Sequence, residues 1–93
     1  STKPFLGISF DPGFTGIGAK IGIITPGQAA EKAGLTVGMI VKSVDGFKVN
    51  DAVSTIVRIR SHAPGDQIVM VVETTSGSSR TFTITLGSAP ALP

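Results

Sequence analysis

Phe5-Leu6-Gly7-Ile8 sets apolar side chains on either side of a glycine, immediately before a short β-type run. Glycine reaches backbone angles closed to other residues, so successive amide N–H groups can converge on one point. A concave amide nest of this kind suits an anion, and the C-terminal carboxylate of a peptide is a natural guest. Apolar-Gly-apolar triplets are common, so the meaning of this one depends on its context. Downstream come Gly27-Gln28-Ala29-Ala30-Glu31-Lys32-Ala33-Gly34-Leu35 and then Gly38-Met39-Ile40-Val41-Lys42-Ser43-Val44-Asp45-Gly46.

The 93 residues suffice for one small domain. Apolar residues make up 41% and charged residues 15%, the balance of a folded globule with a modest core. There is no cysteine, which excludes disulfides and thiolate metal sites and leaves the redox compartment open. The net charge is only +2, and the eight basic residues are scattered, so no nucleic-acid surface is expected. No apolar run is long enough to span a bilayer, and no direct membrane insertion is expected.

Read along the chain, the order is rich in β-structure. Leu6 to Phe10 reads as a strand, Asp11 to Gly18 as a glycine-rich loop, and Ala19 to Thr25 as a second strand. Gln28 to Ala33 is a short helix that Gly34 stops in the left-handed conformation. Met39 to Val44, the Asp45-Gly46 turn and Phe47 to Val49 form a hairpin. Asn50 or Asp51 caps a second helix, which reaches about His62 before Pro64-Gly65 ends it. Ile68 to Thr75 and Arg80 to Leu86 form a last hairpin, and Gly87 to Pro93 reads as a linker or fraying tail. In the second helix Val53, Ile56, Val57 and Ile59-Arg60 follow helical spacing, giving one apolar stripe. That stripe either packs on the sheet or turns one flank to a groove beside Leu6–Phe10.

In this order, the Phe5–Ile8 loop and the two glycine-bounded segments resemble a PDZ domain over nearly the whole chain. Only Ser1 to Pro4 precede Phe5, and Pro4 is a poor strand residue. An extra strand, Arg80 to Leu86, follows instead. This is similar to the circularly permuted arrangement of HtrA-type serine proteases of bacteria and organelles. Ala63-Pro64-Gly65-Asp66 and Thr81-Phe82-Thr83-Ile84-Thr85-Leu86 resemble the same members. One departure is Met39, where that family often has Asp after the glycine, and weaker local hydrogen bonding is the expectation.

The resemblance implies a small α+β fold, a partly open antiparallel β-barrel or sandwich of five to six strands with two helices. Residues 1–87 would form the domain and 88–93 a flexible tail. Phe5, Leu6, Gly7 and Ile8 would bind a carboxylate. Ile8, Ser9, Phe10, Val53, Ile56, Ile59 and Arg60 would line a peptide groove, in which Leu6, Ile8, Phe10 and Ile56 hold the last side chain. The implied partners are protein C-termini with apolar terminal residues. Selection of Ser or Thr two places before the terminus goes with a His at the helix start, and here that region is Asp51-Ala52-Val53. No cofactor and no metal are expected. The parent would be a serine protease, extracytoplasmic or organellar, using this module for regulation or substrate recruitment. The alternative is a cytoplasmic adaptor with no enzyme attached.

Catalysis within the chain is not expected. His62 is the one histidine and reads as a solvated residue at a helix end. Gly77-Ser78-Ser79 is a hairpin tip rather than a nucleophile elbow. The six acids fall mostly in turns and caps without an evident pairing. Gly16-Ile17-Gly18 leads into a strand, not a helix, which argues against a dinucleotide loop.

Overall fold

The longest hairpin sets the core. In the computed structural model, which describes residues 4–88, β6 (Gln67–Glu73) pairs with β7 (Ser79–Thr85) without a register shift, from Gln67↔Thr85 to Glu73↔Ser79. Side chains alternate across a strand, so Ile68, Met70 and Val72 join Phe82 and Ile84 on one buried face. The remaining strands are β1 (Pro4–Phe5), β2 (Ile8–Phe10), β3 (Ala19–Ile24), β4 (Ile40–Val44), β5 (Phe47–Lys48) and β8 (Gly87–Ser88). A six-stranded antiparallel sheet runs β2-β3-β4-β6-β7, with β5 hairpinned onto β4. Helix α1 (Ala29–Ala33) packs against β7, burying Ala29 and Ala30, whose small side chains permit close approach. The expected α+β class is the one observed.

Local chemistry explains the punctuation. Gly34 ends α1 at φ 98°, and Asp45-Gly46, both at positive φ, make the β4–β5 turn. Met39 is buried, its carbonyl accepting from the Ile21 N–H at 2.8 Å and its N–H donating to the Thr36 carbonyl at 3.4 Å. Helix α2 (Ala52–Arg60) is capped by Asp51, whose carboxylate accepts from the Ser54 N–H at 2.8 Å.

Four expectations are corrected. The first strand is shorter than Leu6–Phe10: the Leu6 carbonyl turns to the Ala30 N–H, and Gly7, at φ 82°, ends the run by accepting the last β2–β3 bond from the Thr25 N–H. The tail does not begin at residue 88: Gly87 and Ser88 pair with Phe5 and Pro4, while residues 89–93 lie outside the described residues. Pro4 is tolerated at the first position of a strand. The α2 stripe is not one face. Val53 and Val57 are 69% and 61% exposed, whereas Thr55 and Ile59 are buried. Finally, His62 is paired rather than solvated. Its Nε2 lies 2.8 Å from an Asp45 carboxylate oxygen and its Nδ1 lies 3.6 Å from one of Asp66, so two of the six acids do share a partner.

The Asp51 cap carries a pH dependence. The Ser54 backbone N–H, then its hydroxyl, hold the carboxyl below its ordinary value of 3.8. A carboxyl whose pKa is lowered by folding contributes stability above its unfolded value, and that contribution is lost as pH falls through the folded value. Asn caps a helix as well as Asp but does not titrate. The melting temperature of the wild type should therefore fall further than that of Asp51→Asn between pH of about 7 and about 2.5. Parallel thermal melts check this, and equal losses would contradict it.

Candidate functional site

Two peptide planes decide what the Phe5–Ile8 loop offers. The Leu6 carbonyl accepts from the Ala30 N–H at 2.9 Å, and the Gly7 carbonyl accepts from the Thr25 N–H at 2.8 Å. In a planar trans peptide, C=O and N–H point in opposite directions. The N–H groups of Gly7 and Ile8 are therefore turned away from α1 and β3. Among the described residues, no acceptor meets the Leu6 or Gly7 N–H. Gly7 makes this turn at φ +82°, a region that favours glycine.

The same bonds orient the β2 edge. Ile8 faces Ile24 across the β2–β3 ladder, and the Thr25-to-Gly7 bond flanks that pair. In an antiparallel ladder this marks a non-hydrogen-bonded pair, so the N–H and C=O of Ile8 point to the free side. β2 is terminal in its sheet, and this side has no strand partner among the described residues.

α2 lies across from that free edge. The concavity between them, about 190 Å³, is lined by Pro4 to Ile8, Phe10, Ile56, Ile59 and Arg60. A second, of about 350 Å³, continues it with Ile8, Ser9, Phe10, Asp11, Pro12, Ala52 and Ile56. Buried Leu6 and Ile59 form the floor, and the half-buried Ile8 and Phe10 pack against the core. Ile56, 37% exposed, forms part of the helix wall. Arg60 stands exposed at the loop end and brings the one charged side chain lining the first concavity.

The structure thus gathers Phe5, Leu6, Gly7, Ile8, Ser9, Phe10, Ile56, Ile59 and Arg60 along one trough. Val53 lies away from the loop end; it lines an adjoining concavity at the N-terminal end of α2, which shares Phe10, Asp11, Pro12 and Ala52 with the second. Sequence reasoning missed Pro4, Ala52, Asp11 and Pro12 as lining residues. For Ala52 a signal existed: Ala52, Ile56, Ile59 and Arg60 follow the i, i+4, i+7, i+8 rhythm of one helix flank.

Chemically, the trough offers outward amides and a cation at one end, apolar walls, and an open strand edge. His62 is held by carboxylates, and among the described residues no hydroxyl is hydrogen-bonded to its ring.

No family model matches the chain. The serine protease PepD of Mycobacterium tuberculosis (strain ATCC 25618 / H37Rv) is 40% identical over 73 residues, 78% of this chain but 16% of that protein. The HtrA-type protease AlgW, solved with a decapeptide, has a similar structure at a TM-score of 0.85 and 18% identity, over 98% of this chain and 31% of that one. A serine endoprotease from Yersinia pestis matches at a TM-score of 0.80 and 22% identity, over 96% of this chain and 30% of that one. The chain spans a minor part of each.

Proposed function

Since the chain is a PDZ-like domain similar to those of HtrA-type serine proteases, we propose that it binds the C-terminus of a protein by β-strand addition. The observation that carries this reading is the pair of outward amides, Gly7 and Ile8, at the end of the β2–α2 trough. The ligand carboxylate sits on the Leu6, Gly7 and Ile8 amides, with Arg60 adding charge complementarity. The ligand backbone pairs with the free edge of β2. Its last side chain, apolar, enters the space between Leu6, Ile8, Phe10 and Ile56, and the residue two places before it is apolar as well. AlgW, whose structure carries a decapeptide, supports peptide binding in this fold.

The domain serves a larger serine protease as its regulatory or substrate-recruiting module and is itself non-catalytic. The identity with PepD supports that parentage. Burying one apolar side chain contributes about 2 kcal/mol, each backbone hydrogen bond about 1 kcal/mol, and ordering the peptide costs several kcal/mol. The balance is about −6 to −8 kcal/mol, or micromolar affinity. Such binding releases readily, as a sensor or tether must.

The test compares one peptide as free acid and as C-terminal amide. Charge-assisted hydrogen bonds are worth about 1.5–3 kcal/mol each, so amidation should weaken binding by roughly tenfold or more. Equal affinities by calorimetry would refute this mode and favour recognition of internal segments.

A further inference from the structure

The trough does not stop at Phe10. A third concavity, about 210 Å³, shares Phe10, Asp11, Pro12 and Ala52 with the one before it and reaches Phe14, Lys20 and Asp51. Its shape is set by the Asp11–Gly18 loop: the Phe14 ring folds back over Gly16, where a Cβ would come within 2.6 Å of Cζ. Gly16, having no Cβ, is thus the residue that lets an aromatic ring wall this space.

Charge is distributed unevenly along the whole trough. Arg60 stands at the loop end, and Asp11 and Asp51 stand at the other. One Asp11 oxygen accepts from the Gly13 N–H at 2.9 Å, and one Asp51 oxygen accepts from Ser54 at 2.8 Å, so each carboxylate keeps an oxygen without those partners. Lys20 is the one cation lining the concavity, leaving two negative charges against one positive.

A carboxylate at the Leu6–Ile8 end makes the ligand run antiparallel to β2. With its last residue beside Ile8, the residue two places earlier lies beside Phe10, where β2 ends, and the residue four places earlier reaches the start of the Asp11–Gly18 loop. These three share one face by the period of two, the face turned to α2. We propose that this third concavity is a specificity subsite for a Lys or Arg side chain at the fifth position from the ligand's C-terminus. The inference rests on the strand-addition reading. The Phe10 and Phe14 rings cover the aliphatic stem or the guanidinium plane, and the two carboxylates take the charge.

The experiment uses N-acetylated peptides of one sequence, ending in a free Val, with Lys, Ala or Glu at the fifth position from the end. Exposed ion pairs are worth about 0.2–1 kcal/mol each, so the Lys peptide should bind about three- to tenfold tighter than the Ala peptide, and the Glu peptide weakest. The preference should shrink at high salt. In the double variant Asp11→Asn/Asp51→Asn, the Lys-to-Ala ratio should collapse towards one, the helix cap being kept by Asn. In Lys20→Gln the ratio should rise. A ratio near one in the wild type, or one that survives the double variant, overturns the subsite alone. Binding of none of the peptides overturns the strand-addition reading, and the subsite with it.

Discussion

Ile56→Arg abolishes binding of peptides ending in Val, Leu or Ile while the domain stays folded. Ile56 lines the trough from the α2 side at 37% exposure, so its side chain is neither core nor free surface. Losing the burial of one terminal side chain removes about 2 kcal/mol, about thirtyfold in affinity. Desolvating an unpaired guanidinium costs several kcal/mol more, which carries a micromolar complex beyond the millimolar range. The fold survives because Arg can lay its stem along the wall and keep its head in water. Val57→Arg, on the outward face at 61% exposure, is the matched control and should bind as the wild type does. An amide NMR fingerprint establishes folding, and a peptide titration follows Leu6, Gly7 and Ile8. Shifts persisting at wild-type peptide concentrations would place the groove elsewhere. An unfolded Ile56→Arg would make Ile56 a core residue.

The signals that read correctly from the sequence are local ones. Asp45-Gly46 makes its turn because both residues tolerate positive φ, and Gly34 stops α1 for the same reason. Ile68, Met70 and Val72 alternate as a half-buried strand must. The trough residues Leu6, Ile8, Phe10, Ile56, Ile59 and Arg60 were legible as a set because one loop motif and one helix flank carry them. What failed depends on rotation and on distant partners. Each residue turns a helix by about 100°, so a stripe of four apolar residues does not say which flank is inward. The inward set here contains Thr55, a polar residue that no hydrophobic pattern would choose. It is buried without an unmet hydroxyl because Oγ1 donates to the Asp51 carbonyl at 2.8 Å. His62 likewise meets Asp45 only because the β4–β5 turn folds beneath the end of α2, where Asp45 also accepts from the Val69 N–H at 2.8 Å. The β1–β8 pair joins the two ends of the described chain, and a strand whose partner lies that far away gives no local sign.

Gly7→Ala should destroy the carboxylate end of the trough, and the reason separates into two parts. Gly7 sits at φ +82°, and a Cβ there would come within 2.4 Å of the Gln28 Cβ. Gly27 has nearly the same conformation, φ +79°, but nothing lies within 4 Å of the added Cβ. Gly27→Ala therefore measures the left-handed strain alone, about 1–2 kcal/mol. For a domain of this size that lowers the melting temperature by about 5–10 °C. Gly7→Ala carries the same strain plus an overlap with a rigid atom that cannot swing aside. Gln28 occupies the N-cap position of α1, and two residues on the Ala30 N–H holds the Leu6 carbonyl at 2.9 Å. Relieving the overlap moves Gln28 or turns the Gly7 peptide planes, and either change redirects the amides of Gly7 and Ile8. The expected loss in melting temperature is at least twice that of Gly27→Ala. Binding of a free C-terminus should fall by about a hundredfold in Gly7→Ala, the worth of one or two charge-assisted hydrogen bonds. Gly27→Ala should bind within about twofold of the wild type, since its strain lies outside the loop. Thermal melts and calorimetry on both variants separate the outcomes. If Gly7→Ala melts no lower than Gly27→Ala and still binds the free acid as the wild type does, then the Leu6–Ile8 amides do not hold the carboxylate.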